Sequence, residues 1–239
     1  MKKSLILVAT LAIASACSET KKEGQSAILE VENVSKISEI EQKEGFKTLF
    51  DGTDTKSWHT YHKDSVTWAI EEGVLHTKGG NHDLVSNDEF ENFDLRFDWN
   101  VGKGGNSGVI YMVQDKPEIE DTYMSGIEYQ IIDDKNWPDK LENGQLPGAA
   151  YDLYPPIKLA NNPQGTWNSG RIVADKGHIS HYVNDVLTAE YDWNSPDYLE
   201  KFNKSKFKDW PFAKVYKGHL ALQDHGQEVS YRNIRIKTL

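Results

Sequence analysis

Gly126-Ile127-Glu128-Tyr129-Gln130-Ile131-Ile132-Asp133 is the stretch on which the reading of the chain turns. Ile127, Tyr129 and Ile131 alternate with Glu128 and Gln130, the period of two of a strand with one face in a hydrophobic core. The opposite face then presents a carboxyl and an amide to water. Neighbours on one face of a strand lie about 6.5–7 Å apart, which suits two contacts to a single sugar ring.

The same period recurs outward from there. Phe93-Asp94-Leu95-Arg96-Phe97-Asp98-Trp99-Asn100 alternates strictly and turns Phe93, Leu95, Phe97 and Trp99 inward. Val109–Gln114 is apolar enough to be buried on both faces. Trp68–Ile70 and Val74–His76 flank Glu71-Glu72-Gly73 as a hairpin, and Asn184-Asp185 joins His178–Val183 to Val186–Tyr191. Phe46–Phe50, Leu84–Ser86, Arg171–Ala174, His219–Gln223 and Val229–Lys237 bring the count to about a dozen short strands, the pattern of an all-β sandwich. Two segments break it as short helical insertions. Pro138–Leu146 reads as a short helix or long loop. Ser195–Asp209 opens with Ser-Pro-Asp, an N-cap followed by proline at the first helical position. It carries Tyr198, Leu199, Phe202 and Phe207 to pack on the sandwich.

At the N-terminus, Met1-Lys2-Lys3 precedes the uncharged run Ser4–Ala16 and then Cys17. A basic start, a short apolar stretch and small residues describe an export signal too short to span a bilayer. Ala14-Ser15-Ala16-Cys17 resembles a bacterial lipobox. Residues 1–16 therefore read as a lipoprotein signal peptide and Cys17 as a lipidated terminus, anchoring the chain to the outer membrane and facing periplasm or cell surface. Cys17 is the sole cysteine, so no intrachain disulfide can form. Residues 17–44, rich in Lys, Glu, Ser and Gln with no aromatic, read as a flexible tether with a helical tendency at Val34–Glu41. Residues 45–239 form the folded domain, roughly 190 residues and enough for one sizeable core.

The net charge of −10 becomes −12 once Lys2 and Lys3 are removed, with 25 basic residues against 37 acidic ones. That balance argues against a nucleic-acid or anionic-membrane surface, which needs basic patches. Seven Trp and eleven Tyr are many for one domain. Aromatic faces stack on the apolar faces of sugars, so composition is compatible with a carbohydrate partner. Oligomeric state leaves no mark on the sequence.

Phosphate-binding glycine loops, a Gly-x-Ser-x-Gly elbow and paired-cysteine metal frames are all missing. His76 with His82 and His178 with His181 lack zinc-like spacing, so no metal site is expected. Gln223-Asp224-His225-Gly226 follows an apolar strand and sets His225 beside a carboxylate, a candidate acid or base. Asn106-Ser107-Gly108 places an amide and a hydroxyl at a strand start. Gly148-Ala149-Ala150-Tyr151-Asp152 fits a loop lining a pocket through Tyr151, and Trp167 and Trp210 are candidate sugar platforms.

Leu49-Phe50-Asp51-Gly52, Trp58, Trp68, Gly73-Val74-Leu75, Phe93-Asp94-Leu95, Asn106-Ser107-Gly108, Glu128-x-Gln130-x-x-Asp133 and Gly148-Ala149 occur in that order. Trp167-Asn168, His181, Leu222-Gln223-Asp224-His225-Gly226 and Arg232-Asn233-Ile234 follow. In this order the motifs resemble the 3-keto-disaccharide hydrolase domain family, over about residues 45–239. The resemblance implies a concanavalin A-like jelly-roll β-sandwich with its sugar site on a concave face, in secreted or lipid-anchored bacterial proteins. Two departures stand out: Asn184-Asp185 where the family has Asn-Gly, and Met112 where it commonly has Arg or His. The second bears on substrate preference.

The resemblance further implies hydrolysis of glycosides already oxidised at C3. The ketone acidifies the C2 hydrogen, a base removes it, the C1 substituent is eliminated and water adds back. Glu128 or His225 is the expected base, with Gln130 and Asn106 on sugar oxygens and Tyr151, Trp167, His181 and Asp224 as further substrate contacts. No cofactor is demanded, although a divalent metal ion polarising the ketone is compatible. Two other readings stand beside this one. Glucanases of family 16 carry Glu-x-Asp-x-x-Glu on a central strand, which Glu128-x-Gln130-x-x-Asp133 matches in part. A bulge at Ile131-Ile132 would then bring Asp133 to the Glu128 face, since retaining chemistry wants carboxyls about 5–5.5 Å apart. The third reading is a carbohydrate-binding module without catalysis.

Overall fold

A computed structural model describes residues 37–239. The signal peptide, Cys17 and most of the tether lie outside the described residues. The alternating stretches form strands as their pattern dictates: β1 (Lys47–Phe50), β2 (Trp58–Thr60), β3 (Ala69–Glu71), β4 (Val74–Thr77), β5 (Leu84–Ser86), β6 (Phe93–Val101), β7 (Asn106–Val113) and β8 (Ile127–Ile132). They continue as β9 (Asn168–Asp175), β10 (His178–Val183), β11 (Val186–Asp192), β12 (His219–Leu222) and β13 (Val229–Thr238). An eight-stranded antiparallel sheet runs β11-β10-β9-β6-β13-β4-β3, with β1 also paired to β13, and a five-stranded sheet runs β2-β5-β12-β7-β8. Each strand sends alternate residues into the space between the sheets. Phe93, Leu95, Phe97 and Trp99 meet Val109, Tyr111, Ile127, Tyr129 and Ile131 there, all at most 2 % exposed. The architecture is the jelly-roll sandwich the sequence implies.

Three findings differ from the sequence reading. The helix α1 (Glu39–Lys43), with Ser38 and Glu41 in a capping box, belongs to the domain and not to a free tether. Glu41 sits between two guanidinium groups of the eight-stranded sheet, 3.1 Å from Arg96 and 2.8 Å from Arg235. The Arg96 guanidinium also lies 4.3 Å over the Phe46 ring. Second, the Asn184-Asp185 departure is absorbed by the turn. Both residues take a left-handed backbone, and the Asn184 side chain is held by Ser169, Ala160 and Asn168. Third, β8 has no wet face, because all six of its residues are buried. Two coverings account for this: Gly148–Tyr151 pairs along the free edge of β8, and the insertion between β11 and β12 lies over the outer face.

Met112 is a bulged residue at φ 64° whose side chain packs in the core between the sheets, so its departure does not reach a ligand site. His181 corrects the list of substrate contacts in the same way. It is fully buried between the sheets, with Nε2 2.9 Å from the Tyr111 hydroxyl and the ring packed against Tyr129. Burial pushes its pKa down to about 4, offset in part by the backbone carbonyl of Gly148.

The folded state thus holds this imidazole neutral, whereas the unfolded chain protonates it near pH 6.5. The stability gained by burying it is present above about pH 6.5 and lost as pH falls toward 4, on the order of 3 kcal/mol. Urea unfolding of the wild type and His181→Gln between pH 7 and 4 checks this. The wild type is expected to lose that much more stability than the variant; equal losses would contradict it.

Candidate active site

The register of three strands builds the floor. β7 and β8 pair without interruption from Asn106↔Ile132 to Tyr111↔Ile127, which sets Glu128 opposite Ile110 and Gln130 opposite Gly108. Glu128 then leans across β7 at Gly108. A Cβ on that glycine would lie 2.6 Å from Glu128 Cγ and 2.8 Å from Oε1. On the other side of β7, the Gln223 N–H donates to the Gly108 carbonyl at 2.9 Å, so Gln223 leaves β12 beside the Glu128 carboxyl. Asn106 lies two residues from Gly108 on the same face of β7.

The turn after β12 presents His225. Asp224 accepts from Thr77 Oγ1 (3.0 Å) and from the N–H groups of Gly80 (3.2 Å), Asn81 (2.7 Å) and Gly226 (2.8 Å). Its own N–H donates to Asp83 Oδ1 at 2.8 Å. Asp224 is therefore a turn-holding residue and not a substrate contact. His225 stands exposed at the cleft, its Nδ1 3.0 Å from Gln227 Oε1 and its ring edge-on to Trp137. Asp83 also accepts from the Thr122 hydroxyl and so joins the His225 turn to the 3-10 helix Thr122–Met124, which carries Tyr123. Burial pushes Asp83 up to about 6.

The insertion makes the wall. The helix α2 (Pro196–Lys204) is N-capped by Ser195 and docks through Tyr198, stacked 6.1 Å from Tyr191, while Leu199 stays exposed. Ser205 caps a second turn, Lys206–Asp209, which delivers Lys206 and Phe207. Lys206 Nζ lies 4.5 Å over the Tyr151 ring and 3.2 Å from Asp152 Oδ2. Tyr151 is fixed by its N–H on the Glu128 carbonyl (3.0 Å) and by Gln145 Nε2 donating to its hydroxyl (3.3 Å). Phe207 stacks on Phe212 at 4.1 Å, and Trp210 tilts against Tyr123 at 5.9 Å. Between floor and wall is a cleft of about 320 Å³.

Glu128 is the acid of this cleft whose environment is most perturbed. Burial pushes its pKa up to about 8; Lys206 pulls it down, Asp83 and Asp152 push it further up, and the Gln223 amide pulls it back slightly. The amide oxygens of Asn106 and Gln223 are buried in this cleft without a hydrogen-bond partner. Buried acceptors of that kind fit hydroxyl donors from a ligand.

Sequence reading brings Glu128, Asn106, Tyr151, His225 and Trp210 to one cleft, whereas Gln130, Asp133, Trp167, His181 and Asp224 do not line it. Gln130 is spent on the loop beside it, Nε2 donating to the Gln145 carbonyl at 3.2 Å and Oε1 accepting from the Ile131 N–H at 3.1 Å. Trp167 lies under the Arg232 guanidinium, away from the cleft. Asp133 accepts from the Gly104 N–H and from Asn136 Nδ2, both at 2.8 Å. With no bulge between β7 and β8, the parity of β8 keeps Asp133 off the Glu128 face, and the paired-carboxylate reading fails for that reason. Lys206, Gln223, Tyr123, Phe207 and Phe212 were missed as site residues. The second capping serine, Ser205, was the local signal for Lys206; the rest converge only in the fold. Among the described residues no group of three or more His, Cys, Asp or Glu is placed to hold a metal ion.

A buried carboxyl of raised pKa beneath aromatic walls, on a sandwich of this architecture, is a site of the kind that glycoside-cleaving enzymes use. Comparison with known proteins narrows the class. The 3-keto-alpha-glucoside-1,2-lyase-like domain matches residues 45–237, and the chain belongs to that family. A 3-keto-disaccharide hydrolase of Bacteroides thetaiotaomicron is 34% identical, with 82% of this chain and 79% of that one covered. A crystal structure of a candidate glycosyl hydrolase from Parabacteroides distasonis superposes with TM-score 0.83 at 32% identity, covering 86% of this chain and 99% of that one. A Bacillus subtilis protein with a galectin-like fold (TM-score 0.50, 11% identity, 81% and 94% covered) shares the fold alone.

Gly108→Ala tests the steric basis of the site. The added methyl forces the Glu128 side chain aside, and a displacement of about 1 Å costs on the order of 100-fold in turnover. The circular dichroism spectrum should be retained while activity falls; unchanged activity would show that Glu128 does not depend on the gap.

Proposed function

We propose that the protein cleaves glycosides whose sugar carries a ketone at C3, by elimination across C1 and C2. The observation that carries this reading is Glu128, a carboxyl buried until its pKa stands near 8, facing a sugar-sized cleft with unpartnered amide oxygens. A carboxylate so raised is a stronger base than an exposed one, which suits a carbon acid activated by a neighbouring ketone. Glu128 takes the C2 proton, and the C–H electron pair moves into a C2–C3 enolate. Lys206, a cation in the same cleft, balances the negative charge on the C3 oxygen. Collapse of the enolate forms the C1–C2 double bond and expels the C1 oxygen, which takes a proton from His225. Water adding back across that bond completes net hydrolysis. Asn106 and Gln223 accept from sugar hydroxyls. The family description, a 1,2-lyase-like domain, and the 3-keto-disaccharide hydrolase relative both support this order of events.

The base form of Glu128 is populated above its pKa. On a 4-nitrophenyl 3-keto-glucoside, whose leaving group departs without a proton from His225, kcat/KM is expected to rise about tenfold per pH unit and level off above about pH 8. Glu128→Gln is expected to lose about 100- to 10,000-fold, and the unoxidised parent glucoside should not be cleaved. Full activity in Glu128→Gln, or a kcat/KM on that substrate that does not rise as pH approaches about 8 from below, would remove Glu128 from the role of base.

The lipid anchor belongs to the same proposal. The Ala14-Ser15-Ala16-Cys17 sequence supports lipidation at Cys17 and export to the outer membrane. Labelled palmitate should enter the wild type and not Cys17→Ala; equal labelling would refute it.

A further inference from the structure

The two sides of the cleft differ in origin and in chemistry. The floor, on β7, β8 and the β12 turn, supplies every group used above on the sugar ring except Lys206. The aromatic wall takes no part in that reaction, yet it is built with care. Ser205 Oγ accepts from the Phe207 N–H at 3.1 Å, and the Trp210 N–H donates to the Phe207 carbonyl at 2.9 Å. The Ala213 N–H donates to the Ser125 carbonyl at 2.7 Å, which locks the insertion to the segment carrying Tyr123. Phe207 and Phe212, each 3 % exposed, stack face to face as backing, while Trp210 and Tyr123 remain partly open. The Tyr123 hydroxyl is turned away to Asp121 Oδ2 at 2.8 Å, leaving its ring as the free surface.

We infer that Trp210 and Tyr123 form the aglycone subsite, and that the β11–β12 insertion selects substrates whose C1 substituent presents a flat apolar face. An aryl ring and the C–H face of a second pyranose share that chemistry, and both stack on exposed aromatic rings. A methyl aglycone does not. This rests on the reading of the cleft as a 3-keto-glycoside site, and it assigns specificity to a segment separate from the floor.

The test compares kcat/KM for 4-nitrophenyl 3-keto-glucoside, a 3-keto-disaccharide and methyl 3-keto-glucoside. In the wild type the first two should be preferred over the third. Trp210→Leu, which keeps apolar bulk without a flat face, should lower that preference about tenfold, while Trp210→Phe retains most of it. Tyr123→Leu, at the ring packed beside Trp210, should act in the same direction, which keeps the test valid if one variant fails to fold. Loss of the aryl preference alone assigns the subsite to aryl glycosides, and loss of the disaccharide preference alone to disaccharides; either supports the proposal. Preference ratios unchanged in both Leu variants overturn it and leave the proposed reaction standing. Absence of wild-type turnover on all three substrates overturns the proposed reaction itself.

Discussion

The cleft depends on the missing side chain at Gly108. Glu128 extends from β8 across its neighbour β7, and only a residue without Cβ leaves room for the carboxyl to lie there. The strand pairing that makes this contact is uninterrupted, so the position of Glu128 follows from a ladder of backbone hydrogen bonds and not from a mobile loop. Rigidity of that kind is what acid–base chemistry requires, because proton transfer tolerates little misplacement.

Burial then makes the Glu128 carboxyl a stronger base than an exposed one. An exposed glutamate on the same strand would be ionised and weakly basic at neutral pH. The insertion after β11 and the loop ending at Tyr151 remove water from the outer face of the five-stranded sheet, and the pKa of Glu128 rises accordingly. Leaving a carboxyl and two amide oxygens in such a place carries a folding penalty. Lys206 and its partner Asp152 show how the penalty is contained: the ammonium stands close enough to attract the carboxylate yet is tied to a second acid, so Glu128 is not driven to ionise fully. Asp83 joins the His225 turn to the helix that carries Tyr123 through one carboxyl.

Much of this was legible in the chain. The alternation in 93–100 and 126–133 specified strands, since a period of two has only one way to bury a single face. Ser195-Pro196 announced the helix of the insertion, and the Asp224-His225-Gly226 turn announced a presented histidine. Errors arose where one-dimensional pattern met three-dimensional covering. Gln130 has the same parity as Glu128 and looked equivalent to it, but the loop at Gln145 reaches Gln130 first and consumes its amide. His181 belonged to a recognisable motif, yet its position between Tyr111 and Tyr129 makes it a core residue. Asp133 appeared reachable from Glu128 only if the strand bulged, and the register leaves no bulge.

By itself the sequence determined the sandwich, most of its strands though not their ends, the acidic net charge and the placement of Glu128 on the face opposite the core. Those follow from local rules: alternation, turn chemistry and net charge act over a few residues or over the whole composition. The tertiary structure alone decided that the supposedly wet face of β8 is covered, that burial pushes the pKa of Glu128 up to about 8, and that Lys206, Gln223 and Trp210 stand around the same cleft. These residues lie on elements about 80 to 95 positions away in the chain, and only strand pairing and docking of the insertion bring them within reach.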